Sequence, residues 1–316
     1  MHGQDGVSWK LALAMAASFV IAPAAEAQTL LRLRLENDTF MRLDRWQTSR
    51  LELDAVTHLK SMAAGTHHHL RVALGQVMYT PRNIQFVDPP ERDHAFGAWL
   101  YGDLGWLLMR IRKPFQHRAL LMLRAGVIGP AAGAEPVQDA THQALGVRRP
   151  QGWDNQMPNQ FAYVLRAAYA PSICIAIDGL RLHLTLGGML DLGNAHRRFR
   201  AGGGIALSFQ LEASFFDETL SAAPAAADRG LAFWVAAYGE AVWYDRFIAA
   251  TGADVRPAIE EASFVPHLRG GWMLLRKRFW LSVTFTIHRR TFNVVPRRRL
   301  HPPAHSYMGV ELGARL

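Results

Sequence analysis

The sequence has little of what often stabilises or anchors a protein outside the cytoplasm. Cys174 is its one cysteine, so an intrachain disulfide framework is excluded. Beyond the N-terminal region no run reaches about 18 consecutive apolar residues, which excludes a transmembrane helix there. The Gly-x-Ser-x-Gly pattern is missing as well, so a serine-hydrolase mechanism has no support from the sequence. An exported form of this chain must be stabilised without disulfides and without a helical anchor.

The first residues have the layout of a secretory signal. Lys10 supplies positive charge, an apolar stretch follows, and Ala25-Glu26-Ala27 offers small residues for cleavage. We expect residues 1–27 to be a signal peptide and residues 28–316 to form one exported domain. The formal net charge is +9, which suits nucleic acid, an anionic membrane or an anionic substrate. Export argues against nucleic acid.

The rest of the chain repeats short segments in which apolar and polar residues alternate. In the first of them, 29–36, leucines alternate with arginines and a glutamate. About twelve segments of this kind follow one another, each near the ~10 residues that a strand needs to cross an outer membrane. This pattern predicts an all-β fold, a transmembrane antiparallel β-barrel of about twelve strands, with the leucines towards lipid and the charges towards the lumen. A soluble sandwich or lipocalin-like barrel also buries one face, so alternation alone leaves these alternatives open.

Aromatic residues and long connections fit the membrane barrel. Aromatic side chains near segment ends are typical of the girdles at the two membrane interfaces. Those assigned to the girdles are Trp99, Tyr101, Trp106, Trp234, Tyr238, Trp243, Tyr244, Trp272 and Trp280. Such barrels carry their long connections outside the cell, and the connections expected there are 80–95, 129–158, 216–229 and 292–305.

The segment from Gly126 to Gln156 is the longest that lacks alternation and is still specific in its residues. Its glycines let the backbone turn and approach other elements closely. If the piece PVQDATHQAL (136–145) is helical, Gln138 and His142 lie one turn apart on the same face. The ordinary pKa of histidine suits proton transfer near neutral pH, so His142 is a candidate base. The alternative is a capped surface helix with a solvated histidine.

Three further polar clusters have structural as well as chemical interpretations. They are Glu36-Asn37-Asp38, the stretch 44–49, and the stretches 79–81 and 88–93 taken together. An Asn-Asp pair at a strand end is a common turn element, and an Asp-Arg pair is often a surface ion pair of small energetic consequence. None of these clusters indicates an activity alone.

Taken together and in order, these segments resemble the outer-membrane lipid A 3-O-deacylases. The Gly-Pro-x-x-Gly…Gln-x-x-x-His block is the specific part, and after about residue 200 only the alternation continues the likeness. The segments that carry the resemblance are LENDTF (35–40), DRWQTS (44–49), GQVMYTP (75–81), FGAWLYGDLG (96–105), GVIGPAAGAEPVQDATHQALG (126–146), PQGWDNQ (150–156) and DLGN (191–194).

The resemblance implies a twelve-stranded barrel that removes the 3'-linked acyl group of lipid A, with calcium in its site. Carried over residue by residue, the essential positions fall on Asn37, Asp38, Thr48 and His142, with Gln138 beside them. Asn37 and Thr48 would then hydrogen-bond the shell of the metal or the developing oxyanion.

The chemistry of ester hydrolysis suits these residue types. His142 can take a proton from an attacking water, and a hard cation ligated by Asp38 can polarise the ester. We expect Gln138, in preference to Glu135, to hold the second ring nitrogen of His142. The run His67-His68-His69 is the competing metal candidate, but successive residues of a strand point to opposite faces, so we expect no shared ion there.

The chain departs from the family's pattern at a few positions. Gln47 and Arg50 stand where relatives more often have Tyr and Gly, and a lysine of the third loop has no clear counterpart. Arg82 and Arg92 are both candidates to replace it. These departures concern the orientation of the substrate more than the hydrolytic residues.

The sequence thus predicts a monomeric outer-membrane esterase that binds lipopolysaccharide and hydrolyses lipid A with calcium as cofactor. Two alternatives stay open. One is a non-catalytic barrel, either a porin or a lipopolysaccharide-binding relative, and the other is an outer-membrane phospholipase. The joint presence of Asn37, Asp38, Thr48 and His142 argues against the first, and the missing serine motif argues mildly against the second.

Overall fold

The computed structural model describes residues 29–41, 46–63, 65–88, 93–211, 228–249, 259–294 and 304–316. The expected signal peptide lies outside these residues. The strands are β1 Thr29–Asn37, β2 Trp46–Ala63, β3 Thr66–Thr80, β4 Gly97–Arg112, β5 Phe115–Ile128, β6 Gln160–Ile177, β7 Leu180–Gly193, β8 His196–Phe209, β9 Arg229–Asp245, β10 Ile259–Glu261, β11 Phe264–Arg276, β12 Phe279–Arg289, β13 Phe292–Val294 and β14 Ala304–Arg315. The helices are α1 Ala134–Leu145 and α2 Arg246–Ala249, with 3-10 turns at Thr39–Met41, Pro130–Ala132 and Trp153–Asn155.

The twelve long strands form one closed antiparallel barrel in the described part of the chain. Each strand pairs with its neighbours along the chain, and β1 closes the barrel against β14, with Leu33 opposite Leu312. The short strands β10 and β13 form a separate two-stranded sheet. The predicted all-β fold of about twelve strands is confirmed. None of the helices in the described residues is long and apolar enough to cross a membrane.

Side chains alternate between the two faces of the wall as the sequence predicts. In β1, Leu33 is 46% exposed on the outside, whereas Arg32, Arg34 and Glu36 are buried inside. The buried charges have partners, since Arg32 binds Asp54 at 2.6 Å. A shift of one residue in this register would expose charges to hydrocarbon, at about 2–4 kcal/mol for each arginine near the bilayer midplane.

The lumen contains an extended network of ion pairs. Arg71 lies at its centre and contacts three carboxylates, with nitrogen–oxygen distances of 2.7 Å to Glu52, 2.9 Å to Asp54 and 2.8 Å to Asp103. Arg124 binds Asp103 from the next strand at 2.7 Å. Charges removed from water are tolerated only when they are paired and hydrogen-bonded. At this level the interior is therefore occupied by side chains that hold adjacent strands together.

Several aromatic residues assigned to the girdles lie inside the barrel instead. Trp99, Tyr101, Tyr238 and Trp280 are all buried, and the Tyr101 hydroxyl donates to Glu52 at 2.8 Å. The reason is that alternate residues of a strand share a face, and Trp99 and Tyr101 are on the face of β4 that carries Asp103. Trp106 and Trp243 are exposed on the outside, as girdle residues are expected to be.

The connections alternate between two ends of the barrel, as they must in an up-and-down topology. We call the end with the long connections the loop end; it has those at 38–45, 81–96, 129–159, 194–195, 246–263 and 290–303. The other end, called the turn end, has the connections at 64–65, 113–114, 178–179, 210–228 and 277–278. Long connections are extracellular in such barrels, so the loop end faces outward from the cell.

The expectation that 216–229 lies with the extracellular loops is wrong. Strand β8 ends at Phe209, which pairs with Leu180 beside the 178–179 turn. Strand β9 begins at Arg229, which pairs with Arg276 beside the 277–278 turn. Both flanking strand ends are at the turn end; residues 212–227 between them lie outside the described part. The length of a connection was the wrong criterion. The end of the barrel at which a connection lies is decided by how many strands precede it, because successive strands run in opposite directions.

A buried histidine lies under the rim of the loop end. The ring of His94 packs at 4.9 Å from Phe292, and its Nδ1 lies 3.2 Å from the carbonyl oxygen of Phe247. Burial lowers the pKa of His94, while Asp93, Asp245 and the bond to the Phe247 carbonyl oppose that shift. His94 is therefore held neutral in the folded rim.

Acidification should loosen this rim. Because the folded pKa of His94 lies below its ordinary value, the unfolded rim binds more protons, and stability falls as the pH drops below the usual histidine range. We expect amide exchange around His94 and Phe247, corrected for intrinsic rates, to accelerate between pH 7 and pH 5. His94→Phe should remove that acceleration. An equal acceleration in this variant would contradict the assignment of the effect to His94.

Candidate active site

Helix α1 occupies the centre of the segment that the sequence singled out. It begins after Gly133 and ends before Gly146, and both glycines are left-handed, with φ of 66° and 67°. Such angles favour glycine. The helix is confirmed, and Gln138 and His142 both lie on its buried face. The solvated surface histidine is thus excluded, since His142 is 5% exposed.

Helix α1 lies against the outside of the barrel wall at the loop end. The preceding turn and the start of the helix pack on the outward side chains of β3 and β4; this contact contains Met78, Phe96, Ala98, Ala132, Ala134 and Trp153. The Gln76 side chain donates to the carbonyl of Ala132 at 2.6 Å. The buried face of α1 is therefore turned towards the wall on its lipid side, not towards the lumen.

His142 is oriented by the backbone that follows the helix. Its Nδ1 lies 2.6 Å from the carbonyl oxygen of Arg148. A carbonyl only accepts, so Nδ1 carries the hydrogen and Nε2 has the lone pair in the neutral ring. The expectation that Gln138 or Glu135 holds the ring is wrong: Glu135 is exposed, and Gln138 has another partner. The return of the chain after Gly146 places the Arg148 carbonyl within reach.

Gln138 is fixed by a tryptophan. The indole N–H of Trp153 donates to Gln138 Oε1 at 2.8 Å, and both side chains are buried. This bond settles which way the amide points. Within the described residues, Gln138 Nε2 has no hydrogen-bond partner. A buried amide N–H₂ with this orientation is available to an acceptor from outside the protein.

A bulge in β2 presents Thr48 on the outside of the barrel. Trp46 pairs with Thr80, Gln47 with Tyr79 and Ser49 with Met78, so Thr48 is the extra residue. Bulges re-aim side chains next to active sites. Here the Thr48 hydroxyl lies 2.5 Å from that of Thr80, on the face of β3 opposite Tyr79. Without the bulge, alternation would direct Thr48 towards the lumen.

Asn37 and Asp38 lie where β1 ends. Asn37 Oδ1 accepts from the backbone N–H of Thr39 at 2.7 Å, which is the turn role that the sequence also allowed. Asp38 is 0% exposed, and its backbone N–H donates to the carbonyl of Thr48 at 3.2 Å. The backbone thus links Asp38 directly to the Thr48 bulge.

Strand register aligns these residues with α1. Asn37 is opposite Ser49, Ser49 is opposite Met78, and Met78 is opposite Ala98. Adjacent strands are about 4.8 Å apart, so two steps, roughly 10 Å, separate Asn37 from the Met78 position on which the α1 segment packs. Asn37, Thr48, Gln138 and His142 therefore lie on one outer-face region at the loop end, and Asp38 adjoins it through its backbone bond to Thr48. These five residues are called here the α1 site.

Exposed apolar side chains surround the α1 site. They come from three connections at the loop end, and Leu145 is the most exposed of those on α1, at 60%. Apolar groups on the outside of a membrane barrel contact lipid. The set comprises Phe40, Met41, Phe86, Val87, Val137, Leu145 and Val147.

Oxygen atoms dominate the candidate metal ligands. Asp38 is the carboxylate among them, with Thr48, Thr80 and backbone carbonyls nearby. In the described ranges, no group of three or more His, Cys, Asp or Glu side chains is placed to hold a metal. An oxygen set with one carboxylate suits calcium better than zinc.

The other candidates from the sequence lie elsewhere. His67 and His69 approach His58 with ring separations of 5.6 and 5.0 Å, while His68 stacks on Trp106. The three consecutive histidines thus point to opposite faces, as predicted. The backbone N–H of Arg82 donates to Asp93 at 2.8 Å, and Arg92 lies outside the described residues.

Comparison with known proteins identifies what the chain resembles. A family model described as "Outer membrane protein LpxR" matches residues 10–300. LpxR from Salmonella typhimurium has a similar structure, with a TM-score of 0.77 and 17% identity over 91% of this chain and 100% of that one. No curated protein sequence matches the chain significantly.

More distant barrels also align. The translocator domain of the autotransporter NalP from Neisseria meningitidis gives a TM-score of 0.47 at 10% identity, over 98% of this chain and 95% of that one. The β domain of the Bordetella autotransporter Brka gives 0.44 at 9% identity, over 92% and 97% of the two chains.

Proposed function

The chain belongs to the LpxR family of outer membrane proteins, and from this premise and the α1 site we propose that it deacylates lipid A. The reaction is hydrolysis of the 3'-linked acyl ester at the outer surface of the bilayer. Lipid A has phosphate groups, which gives the basic chain an anionic substrate.

The observation that carries this proposal is the placement of His142. Its ring is held at 2.6 Å by the Arg148 carbonyl, on the lipid side of the wall and at the loop end. In this proposal the surrounding exposed apolar side chains contact the acyl chains of the substrate, and the buried polar groups bind its ester. A site that served only solutes in the lumen would not need this arrangement.

The chemistry follows from the orientation of His142. Nε2 takes a proton from water, and the water oxygen attacks the ester carbonyl carbon. The tetrahedral intermediate then expels the sugar oxygen, which receives the proton from the imidazolium, leaving a free fatty acid and a hydroxyl. Nδ1 stays bound to Arg148 throughout, so the ring does not have to reorient between the two transfers.

Gln138 is the donor best placed for the oxyanion. Trp153 fixes its amide through Oε1, so Nε2 keeps one orientation before and after the substrate arrives. Donors that need no reorganisation stabilise developing charge most effectively. Asn37, at the end of β1, binds the polar groups beside the ester.

Calcium fits the oxygen ligands at Asp38. Asp38 would be its carboxylate ligand, and the Thr48 hydroxyl and nearby carbonyls would complete the set. When bound, calcium polarises the ester carbonyl.

Mass spectrometry of lipid A tests the proposed function. Outer membranes from cells that produce the protein should lack the 3'-linked acyl group on a fraction of lipid A, with the fatty acid released. Cells with the empty vector and cells that produce a folded His142→Ala variant are the controls. Unchanged lipid A with correctly folded wild-type protein in the outer membrane would reject deacylation. Loss of acyl groups from phospholipids instead would identify a phospholipase.

A further inference from the structure

We propose that His305 is a positioning residue that holds the Thr48 bulge from the lumen side. This inference rests on the proposed function, because it assigns a role in the same site to a residue on the opposite face of the wall. His305 does not contact the substrate in this proposal. It acts through the backbone of Gln47.

His305 belongs to a row of three histidines on the inner face. His267 is opposite His288, and His288 is opposite His305, on β11, β12 and β14. Their rings lie 4.9 and 5.2 Å apart along the row. His305 itself is buried. This row of histidines belongs neither to the ion-pair network of the lumen nor to the α1 site.

The row ends on the bulge. His305 Nε2 lies 3.3 Å from the carbonyl oxygen of Gln47, and its ring centre lies 5.5 Å from that of Trp46. Because a carbonyl only accepts, Nε2 donates its hydrogen. The contact thus holds Gln47 by its backbone, whichever side chain that residue has.

The backbone conformation of Trp46, next to the bulge, is unfavourable and needs stabilising contacts. Trp46 has φ of 63°, a left-handed value that is uncommon for a large side chain. Trp46 is held further by its indole N–H, which donates to Asp93 at 3.0 Å, and by edge contact with Phe292 at 5.5 Å. The bonds from Asp93 and His305 therefore fix the two residues that precede Thr48.

The bulge connects the His305 contact in the lumen to residues on the outside of the barrel wall. The Gln47 carbonyl is held by His305 in the lumen, while the next residue, Thr48, places its hydroxyl against Thr80 on the outside. The carbonyl of Thr48 in turn accepts from the N–H of Asp38. Removing the His305 bond should therefore displace Thr48 and Asp38 together, although neither touches His305.

Amide exchange tests the hold without any assay of activity. In His305→Ala, the amide of Asp38 should exchange about tenfold faster than in wild type, the scale of one lost hydrogen bond. His305→Gln retains an N–H donor of similar reach and should restore most of the protection. His58→Ala is the matched control, since it removes a lumen-facing histidine from the turn end of β2, the strand that carries the bulge. Unchanged Asp38 exchange in His305→Ala would overturn the proposal.

Kinetics then test the consequence for the reaction. The His305→Ala variant should lower kcat about tenfold and leave KM within about twofold, because small displacements of catalytic groups cost rate while the apolar surroundings still bind substrate. The folded fraction, measured by heat-dependent gel mobility, must match wild type. A loss explained by folding alone, or one that His305→Gln does not relieve, would contradict positioning. If the wild-type protein has no deacylase activity and the Asp38 amide still exchanges faster in His305→Ala, the contact between His305 and Gln47 is supported and the proposed function is rejected.

Discussion

Replacement of His142 by alanine should lower the deacylation rate by about two to four orders of magnitude, the usual scale for loss of a general base. Among the five residues of the α1 site, His142 is the imidazole, and a buried bond to a backbone carbonyl orients its ring. The change should cost the barrel little, since α1 packs on the wall and contributes no bond to the strand ladder. Release of fatty acid from purified lipid A measures the rate.

Two variants decide whether the loss is chemical. His142→Gln should be as inactive as His142→Ala, because an amide does not accept the proton. Gln143→Ala changes the neighbouring exposed residue on the same helix and should retain activity. Full activity in a folded His142→Ala protein would remove the hydrolytic mechanism altogether.

The barrel was predictable because alternation survives in every long strand. Buried charges such as Arg32 and exposed leucines such as Leu33 follow from a period of two, and that period fixes both the face and the register. The strands β10 and β13 were missed since three residues are too few to show a period. The position of 216–229 was missed for another reason. The end of the barrel at which a connection lies depends on the number of strands before it, whereas its length is a local property.

The helix that carries two of the candidate site residues was predictable from the sequence, but the contacts of those residues were not. Residue types and spacing placed His142 and Gln138 on one helical face, which the structure confirms. The partner of His142 is the carbonyl of Arg148, and a backbone carbonyl has no signature in the sequence. Thr48 reaches the outer face through a bulge, an inserted residue that alternation alone would assign to the lumen.

Removal of calcium should greatly slow deacylation if Asp38 ligates the ion. Polarisation of an ester carbonyl by a bound cation is worth several kcal/mol, so a calcium chelator should slow wild type by roughly a hundredfold or more, and added calcium should restore the rate. Asp38→Asn keeps the size of the side chain and removes its charge. Because affinity for calcium depends on the charge of its ligands, this variant should need far more calcium for half-maximal rate. Calorimetric titration of calcium gives the affinity independently of turnover.

The matched control is Asp154→Asn, which removes an exposed carboxylate from the turn that follows α1. It lowers the negative charge near the site by the same amount and leaves the Asp38 position unchanged, so its calcium requirement should equal that of wild type. An equal effect of the two substitutions would indicate a general field of negative charge rather than a ligand. Chelation without effect on the rate, or calcium binding by Asp38→Asn as tight as by wild type, would contradict a metal at Asp38. In that case Gln138 Nε2 would remain as the donor for the oxyanion, the hydroxyl of Thr48 would be available beside it, and His142→Ala should still be inactive.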